Sequence, residues 1–273
     1  MRAFRVTMQL AVAAAVVGSV AVAWRAAGAA GSPVASGQNY YQVLDDGRRV
    51  GYMRLKVMEV EGLVILEEEF RALYKKREAG FKSSTVYEGG ERPRPQRASV
   101  TTRVGDFKLM EGSVVFEASG GGEEEGDETL VAKVLARGYA DVDRKPFEES
   151  KKVEREMPVP AGLVLTFPAF VHFAPRLLPK EGRLGDVVFA EIPDDLDYPA
   201  MANFKAECLL DRGPKDEEGR SEVSLKRRFA GGNLRTLATM TIGGDGGVTE
   251  ARFGKFTLRP SSVSEALEPL EAE

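Results

Sequence analysis

The sequence has very few cysteine and histidine residues. Its 273 residues include one cysteine, Cys208, and one histidine, His172. A single cysteine excludes an intrachain disulfide and any metal site built from several cysteines. A single histidine makes a zinc site only with carboxylates of matching geometry, and the chain has no G-x-S-x-G nucleophile elbow. We therefore expect no catalytic residues, no metal and no cofactor.

An excess of basic residues is also missing. The chain has 38 Lys and Arg against 42 Asp and Glu, a formal net charge of −4. Loss of Arg2, Arg5 and Arg25 with an N-terminal leader would leave 35 basic against 42 acidic residues, near −7. Because a nucleic-acid binder usually shows a basic patch, we expect no nucleic-acid partner.

The N-terminus has the anatomy of a secretory signal peptide over residues 1–30. Met1–Arg5 is basic, Val6–Trp24 is almost wholly apolar, and Ala27-Gly28-Ala29 fits the small-residue cleavage rule. An uncleaved membrane anchor is the alternative, because the apolar run approaches the length that spans a bilayer. Both readings place the rest of the chain outside the cytoplasm, periplasmic or secreted, after a linker over residues 31–38.

From residue 39 the apolar residues recur with period two. Tyr40–Leu44 and Arg48–Val60 flank Asp45-Asp46-Gly47, which predicts a hairpin. About a dozen such segments with short turns between them predict a mainly β fold with an antiparallel sheet. A sheet this wide must curl or close, so we predict a strongly curved antiparallel sheet or incomplete β-barrel over residues 39–259. An acidic tail follows over 260–273, and two strand arrays form either two halves of a barrel or two lobes.

One helix is predicted at about residues 166–179, between the two strand arrays. Thr166 is a suitable N-cap, and apolar residues follow at helical spacing: Phe167, Phe170, Val171, Ala174, Leu177 and Leu178. Pro175 is expected to kink this helix or end it early. Because a short helix cannot bury its apolar stripe alone, it should lie across the concave side of the sheet.

Two charges fall on apolar strand faces, where an unpaired charge is costly unless it faces a wet cavity. Glu68 shares a face with Phe70, and Arg227 shares one with Leu225. Bulges that turn both charges outward are the alternative. His172 lies one position off the helix stripe, and a partly buried structural histidine is the alternative there. The candidate residues for a ligand cavity are Glu68, Phe70, Phe170, His172, Leu177 and Arg227.

Three other features have simple interpretations. Cys208 alternates with apolar residues along its strand and should be a buried thiol. Asp194, Asp195 and Asp197 could bind calcium, but they lack EF-hand spacing, so a solvated acidic loop is favoured. The acidic segment 119–128 is interpreted in the same way, as a charged loop.

Four segments carry a resemblance to a family: the signal peptide, the hairpin YYQVLDDGRRVGYMRLKV, the helix PAFVHFAPRLLP with its following turn KEGRLG, and the closing strands GGVTEARFGKFTL. Together they resemble exported bacterial proteins with a curved antiparallel sheet, the periplasmic lipoprotein carriers of the Lol type and related uncharacterised periplasmic families. The resemblance covers about residues 39–259. It implies a concave sheet that holds lipid or another apolar ligand, or a role of the protein in the cell envelope. The lipobox cysteine of the anchored members is missing, and no family residue is carried over position by position.

These observations predict an exported, non-enzymatic β-protein that binds an apolar ligand such as lipid, or a protein of the cell envelope, in its concave sheet. A structural or interaction module with a fully packed core is one alternative. A hydrolase that uses His172 with a carboxylate is another. A large apolar cavity would favour the first reading and a filled core the second. A cleft that brings His172 to a carboxylate would favour the third.

Overall fold

The fold is taken from a computed structural model that describes residues 37–74, 77–105, 107–119, 130–140, 146–191 and 203–269. The expected signal peptide, most of the acidic segment 119–128 and the three aspartates at 194–197 lie outside the described residues. Within the described ranges, no helix has the length and apolar character needed to cross a membrane.

The chain is mainly β, as the sequence predicts. The strands are β1 Gln38–Asp45, β2 Arg48–Val60, β3 Leu63–Tyr74, β4 Arg77–Glu88, β5 Arg94–Val104, β6 Phe107–Ala118, β7 Leu130–Ala140, β8 Pro146–Val159, β9 Leu163–Leu165, β10 Gly182–Glu191, β11 Asn203–Arg212, β12 Ser221–Arg228, β13 Leu234–Ile242, β14 Val248–Phe253 and β15 Phe256–Ser261. The helices are α1 Phe167–Leu177 and α2 Val263–Leu267.

All of these strands belong to one sheet. Its order is β8-β7-β6-β5-β4-β3-β2-β1-β15-β14-β13-β12-β11-β10-β9. The two predicted strand arrays are therefore two parts of a single sheet, joined where β1 pairs with β15. Among the described pairs only β9 and β10 run parallel, because α1 crosses between them and a helical crossover returns the chain in the same direction. The sheet is not closed into a barrel.

The predicted hairpin turn between β1 and β2 is present, and a turn of the same kind joins β2 to β3. Asp46 and Gly47 have φ values of 51° and 78°, and Glu61 and Gly62 have φ values of 51° and 81°. Two successive residues with positive φ make the two-residue turn that matches the twist of an antiparallel hairpin. These turns fix the register of β1 with β2 and of β2 with β3.

Two glycines let the neighbours of β3 approach it closely. A Cβ atom at Gly51 would lie 1.9 Å from the carbonyl oxygen of Arg71, and one at Gly80 would lie 2.2 Å from that of Phe70. Since Gly51 is on β2 and Gly80 on β4, β3 is crowded from both sides at the same level. Glycines in such positions allow a sheet to bend sharply.

The sheet rolls until its two ends lie beside each other. Strands β8 and β9 stand at opposite ends of the strand order, yet Val159 ends β8 and Leu163 begins β9 only four positions later. Strand β9 also contacts β5 across the roll. Strands β9 and β10 are therefore covered on both faces.

This burial on both faces divides the core into two clusters. Leu163, Leu165 and Phe189 belong to the cluster around α1, whereas Val164 and Val188 pack against β5, β6 and β7. Strands buried on both faces have nearly continuous apolar runs. That explains the segments LVL in β9 and VVFA in β10.

Helix α1 begins where the sequence predicts. The Thr166 side chain accepts a hydrogen bond from the backbone N–H of Ala169 at 3.4 Å, and the helix then runs without a break to Leu177. The predicted early end at Pro175 is wrong. The missing N–H of Pro175 removes one intrahelical hydrogen bond, and Leu178 still donates to the carbonyl of Ala174 at 3.0 Å, so the helix continues past the proline.

The predicted tail begins with ordered structure. Strand β15 ends at Ser261, and Ser262 caps α2. Arg49 of β2 donates to the backbone carbonyls of Ala266 at 2.8 Å and Glu268 at 3.0 Å. These bonds hold α2 against the first hairpin.

Candidate functional site

A cleft of about 560 Å³ opens where helix α1 ends. Its walls are the turn between β2 and β3, the loop after β4 and the last turn of α1. The lining residues are Glu59, Val60, Glu61, Gly62, Leu63, Val64, Gly89, Gly90, Glu91, Pro93, Phe173, Arg176 and Leu177. A volume of this size is within the usual range for small-molecule sites, about 300–1,000 Å³.

The topology of the sheet brings these segments together. In an antiparallel meander, alternate turns lie at the same end of the sheet. The β2–β3 turn at Glu61-Gly62 and the loop at Gly89-Gly90 are two such turns, and the amide N–H of Gly89 donates to the carbonyl of Gly62 at 2.7 Å. Helix α1 ends beside both of them and completes the cleft.

The lining has an apolar part and a charged part. Val64 and Phe173 are buried, and Leu63 and Leu177 are half-buried, so aliphatic and aromatic surface faces the cleft. The charged residues are Glu59, Glu61, Glu91 and Arg176. Nη1 and Nη2 of Arg176 both donate to Oε1 of Glu59 at 3.3 Å. The arrangement suits a ligand that has an apolar body and a polar or charged end.

His172 lies behind this charged part of the lining. Its side chain is 0% exposed, and in the described structure neither ring nitrogen has a hydrogen-bond partner. Nε2 faces Glu59 and lies 4.0 Å from its Oε1, which is beyond hydrogen-bond distance. The ring also packs edge-on against Phe173, with centroids 4.7 Å apart.

The environment of His172 keeps the imidazole neutral. Burial, followed by the positive charge of Arg176, lowers the pKa of His172 from 6.5 to about 4. Arg176 follows His172 by four positions, so both side chains lie on the same side of α1. At pH 7 the ring therefore presents one N–H and one lone pair, with no protein partner for either among the described residues.

The predicted cavity residues on the helix differ in their positions. Leu177 lines the cleft, and His172 lies directly behind it. Phe170 is 0% exposed and belongs to the cluster that α1 forms with the sheet. It is not among the residues that line the cleft.

The predicted cavity residues on the strands lie away from the cleft. Glu68 is buried and accepts a hydrogen bond from Ser83 Oγ at 3.1 Å. Phe70 stacks on Phe81 with ring centroids 5.4 Å apart. The guanidinium of Arg227 lies 5.2 Å from the ring centre of Phe229. The structure therefore groups two of the six predicted residues and places the other four elsewhere.

Sequence reasoning did not identify the residues that give the cleft its charge. Glu59, Glu61 and Glu91 belong to a strand end and two turns, where isolated acidic residues are common. Arg176 lies outside the apolar stripe of α1, and its side chain is 32% exposed and paired with Glu59. Two signals pointed to the site: the spacing of Arg176 from His172, and two glycine-containing turns at the same end of a predicted meander.

A second depression in the described chain has less apolar surface for a ligand. A depression of about 590 Å³ has a mostly polar and charged lining: Pro214, Asp216, Arg220, Ser221, Glu222, Thr241, Thr249 and Glu250. In the same residue ranges, no group of three or more His, Cys, Asp or Glu side chains is placed to hold a metal ion. Cys208 is buried as predicted, and its Sγ donates to the carbonyl of Lys205 at 3.2 Å.

Comparison with known proteins gives no relative for this chain. No family model, no curated protein and no solved structure matches it.

Proposed function

We propose that this chain is an exported, non-enzymatic binding protein that holds a ligand with an apolar body in the cleft at the end of α1. The observation that carries the proposal is the half-exposed apolar surface of Leu63 and Leu177 inside a cleft of about 560 Å³. Apolar side chains in a concave site of this size are typical of small-molecule binding sites. A lipid or another component of the cell envelope fits this description.

The packing of the core supports a ligand at the cleft over one deeper in the fold. Phe170 and Leu165 are 0% exposed, and Phe167 packs against Phe253 with ring centroids 4.8 Å apart. In the described residues, helix α1 thus fills the concave side of the sheet along its first turns. A ligand there would have to displace well-packed side chains, whereas the cleft offers space without that cost.

A hydrolase that uses His172 has one observation in its favour, the distance of 4.0 Å between its Nε2 and Oε1 of Glu59. Three others favour binding. His172 is fully buried, and its pKa of about 4 makes it a weak base at neutral pH. The lining residues of the cleft include no serine, threonine or cysteine that it could activate.

The binding proposal is tested by titrating the protein with a neutral environment-sensitive dye, N-phenyl-1-naphthylamine. We expect saturable binding that is lost in Leu177→Trp, because the indole would occupy the cleft. Leu267→Trp is the matched control, since Leu267 is a 50% exposed leucine on α2. Absence of saturable binding would favour the packed interaction module instead. Equal saturable binding by both variants would mean that the dye binds outside the cleft, and would overturn the proposed site.

The exported location rests on residues 1–30 of the sequence. We expect the mature chain to begin near Ala30 or Gly31, because the small-residue cleavage site ends there. N-terminal sequencing of the protein from the extracytoplasmic fraction tests this. An intact Met1 in the membrane fraction would instead favour the anchor.

A further inference from the structure

We propose that the cleft selects an amphiphile with a cationic amine head group, whose ammonium binds between Glu59 and His172 and whose hydrocarbon part lies on Leu63, Phe173 and Leu177. This inference rests on the proposed function, since it concerns the same cleft. It adds the chemical class of the ligand.

The lining of the cleft has an excess of negative charge. Three carboxylates, Glu59, Glu61 and Glu91, face the cleft with one guanidinium, that of Arg176, which leaves two uncompensated negative charges. Glu61 and Glu91 are exposed at the mouth, and no ion pair is recorded for either in the described structure. Their field attracts a cation and repels a carboxylate or phosphate head.

Behind the lining, His172 also lacks a hydrogen-bond partner in the described structure. It is a fully buried polar side chain whose ring nitrogens have no hydrogen-bond partner among the described residues, and a buried polar group normally has one. Its Nε2 faces Glu59, a residue of the cleft lining, across 4.0 Å. Because Nε2 itself is buried, a partner that enters from the cleft reaches it only when the side chains of Glu59 and Arg176 move aside.

With the imidazole proton on Nδ1, Nε2 of His172 and Oε1 of Glu59 are both acceptors, and one nitrogen atom beside the line that joins them can donate to both. A donor atom placed at a usual hydrogen-bond distance of about 2.9 Å from each group would bridge the 4.0 Å that separates Nε2 of His172 from Oε1 of Glu59. A primary ammonium has three N–H donors and no acceptor. It can therefore donate to the carboxylate and to the lone pair of a neutral imidazole at the same time. A carboxylate head would bring two acceptors to two acceptors.

Arg176 limits the preference of the cleft for a cationic head group. Its guanidinium already donates to Oε1 of Glu59, so an incoming ammonium must share or replace that bond. The guanidinium is therefore an internal competitor of the ligand. Its removal should strengthen the binding of a cation and weaken that of an anion.

Three probes with the same hydrocarbon chain test the head-group preference: dodecylamine, dodecanol and dodecanoate, titrated by calorimetry at pH 7 below their critical micelle concentrations. We expect dodecylamine to bind about tenfold or more tightly than dodecanol, because a hydrogen bond to a charged group exceeds a neutral one. Dodecanoate should bind weakest. The preference for the amine should decrease as salt screens the exposed carboxylates.

Variants assign the preference to its residues. Glu59→Gln and His172→Leu should each reduce the ratio of amine to alcohol affinity severalfold, because each removes an acceptor for the ammonium. Arg176→Gln should raise the ratio. Glu217→Gln is the matched control, because Glu217 is an exposed glutamate on the turn after β11, and it should leave the ratio unchanged.

The possible outcomes separate this inference from the proposed function. Suppose that all three probes bind equally and that Leu177→Trp abolishes the binding of each. That result would overturn the amine preference but would support the apolar site. A preference for dodecanoate would also overturn the amine preference. Failure of every probe to bind would overturn both proposals. If His172→Leu unfolds, the unchanged or lowered ratio in Glu59→Gln still decides the question.

Discussion

The two ends of helix α1 share one apolar stripe but have different surroundings. The first turns are buried at Phe167, Phe170 and Val171. In the last turn, the side chain of Arg176 is 32% exposed and Leu177 is half-buried. The first turns share one core cluster with residues of β1 to β4 and β9 to β15. In the last turn, Arg176 pairs with Glu59 near the end of β2, and Leu177 lines the cleft beside the β2–β3 turn and the loop after β4.

This difference shows what an amphipathic pattern can and cannot specify. The stripe identifies the face of the helix that points toward the sheet. It does not say whether the space in front of each residue is filled by protein. Four predictions test the contrast between the packed end and the open end.

The largest effect is expected at the packed end. Phe170→Ala should lower the free energy of unfolding by about 3–5 kcal/mol, because the fully buried ring would leave a cavity that its neighbours cannot fill. Urea denaturation monitored by circular dichroism measures the change. A loss below about 1 kcal/mol would mean that the first turns of α1 are not packed against the sheet.

The second prediction concerns His172 at the junction of the two ends. Its pKa is lowered to about 4 in the folded chain against 6.5 in the unfolded chain, so between these values the unfolded chain binds a proton that the folded chain refuses. Stability should therefore fall as the pH falls from 6.5 to 4, and this contribution should level off below that. At 1.36 kcal/mol for each pKa unit, the loss is about 3 kcal/mol.

Urea denaturation at several pH values measures this loss, and His172→Gln is the control. The glutamine side chain does not titrate, and the protein has no other histidine, so the slope between pH 6.5 and 4.5 should flatten in the variant. Carboxylates whose pKa is lowered, such as Asp211 through its hydrogen bond with Lys226, contribute at lower pH. An equal slope in both proteins would contradict the burial of a neutral His172.

The sequence predicted most of the fold because its signals are local. The period-two strands, the turn at Asp46-Gly47 and the cap at Thr166 each act within a few residues, and each is present in the structure. The roll of the sheet was not predictable in detail. It depends on where β8 and β9 meet, a long-range relation with no local pattern, although the apolar run in β10 was a sign of a strand buried on both faces.

The candidate site was predicted less well for the same reason. Leu177 was identified because it belongs to the stripe, and His172 because it is unique in the sequence. Glu68 was correctly marked as a charge on an apolar face, yet Ser83 on the next strand bonds it within the sheet. Glu59 and Glu91 become neighbours of α1 only through the tertiary fold, so their positions in the sequence gave no signal.

The third prediction compares Leu177 with Phe170. Leu177→Ala should cost about 1 kcal/mol of stability, less than the 2–5 kcal/mol of a fully buried leucine, because its side chain is only half-buried. The same variant should weaken binding of a neutral apolar dye severalfold. A large stability loss with unchanged dye binding would show that the open end of α1 is in fact part of the packed core.

The smallest effect at pH 7 is expected for Arg176. Its side chain is 32% exposed and that of Glu59 is 43% exposed, and ion pairs with this exposure contribute about 0–1 kcal/mol. We expect Arg176→Ala to change the stability at pH 7 by about 0.5 kcal/mol or less. Its effect should appear in acid instead.

The reason is that the charge of Arg176 is the second cause of the low pKa of His172, after burial. Without the guanidinium that pKa should rise toward 6.5. The pH range in which only the unfolded chain binds the proton should then become narrower. Stability should then fall less between pH 6.5 and 4 in Arg176→Ala than in the unmodified protein. Denaturation curves of both proteins at pH 7 and pH 4.5 measure the difference. A steeper loss in the variant would mean that Arg176 does not act on His172, and that the charged end of the cleft is not arranged around the buried imidazole.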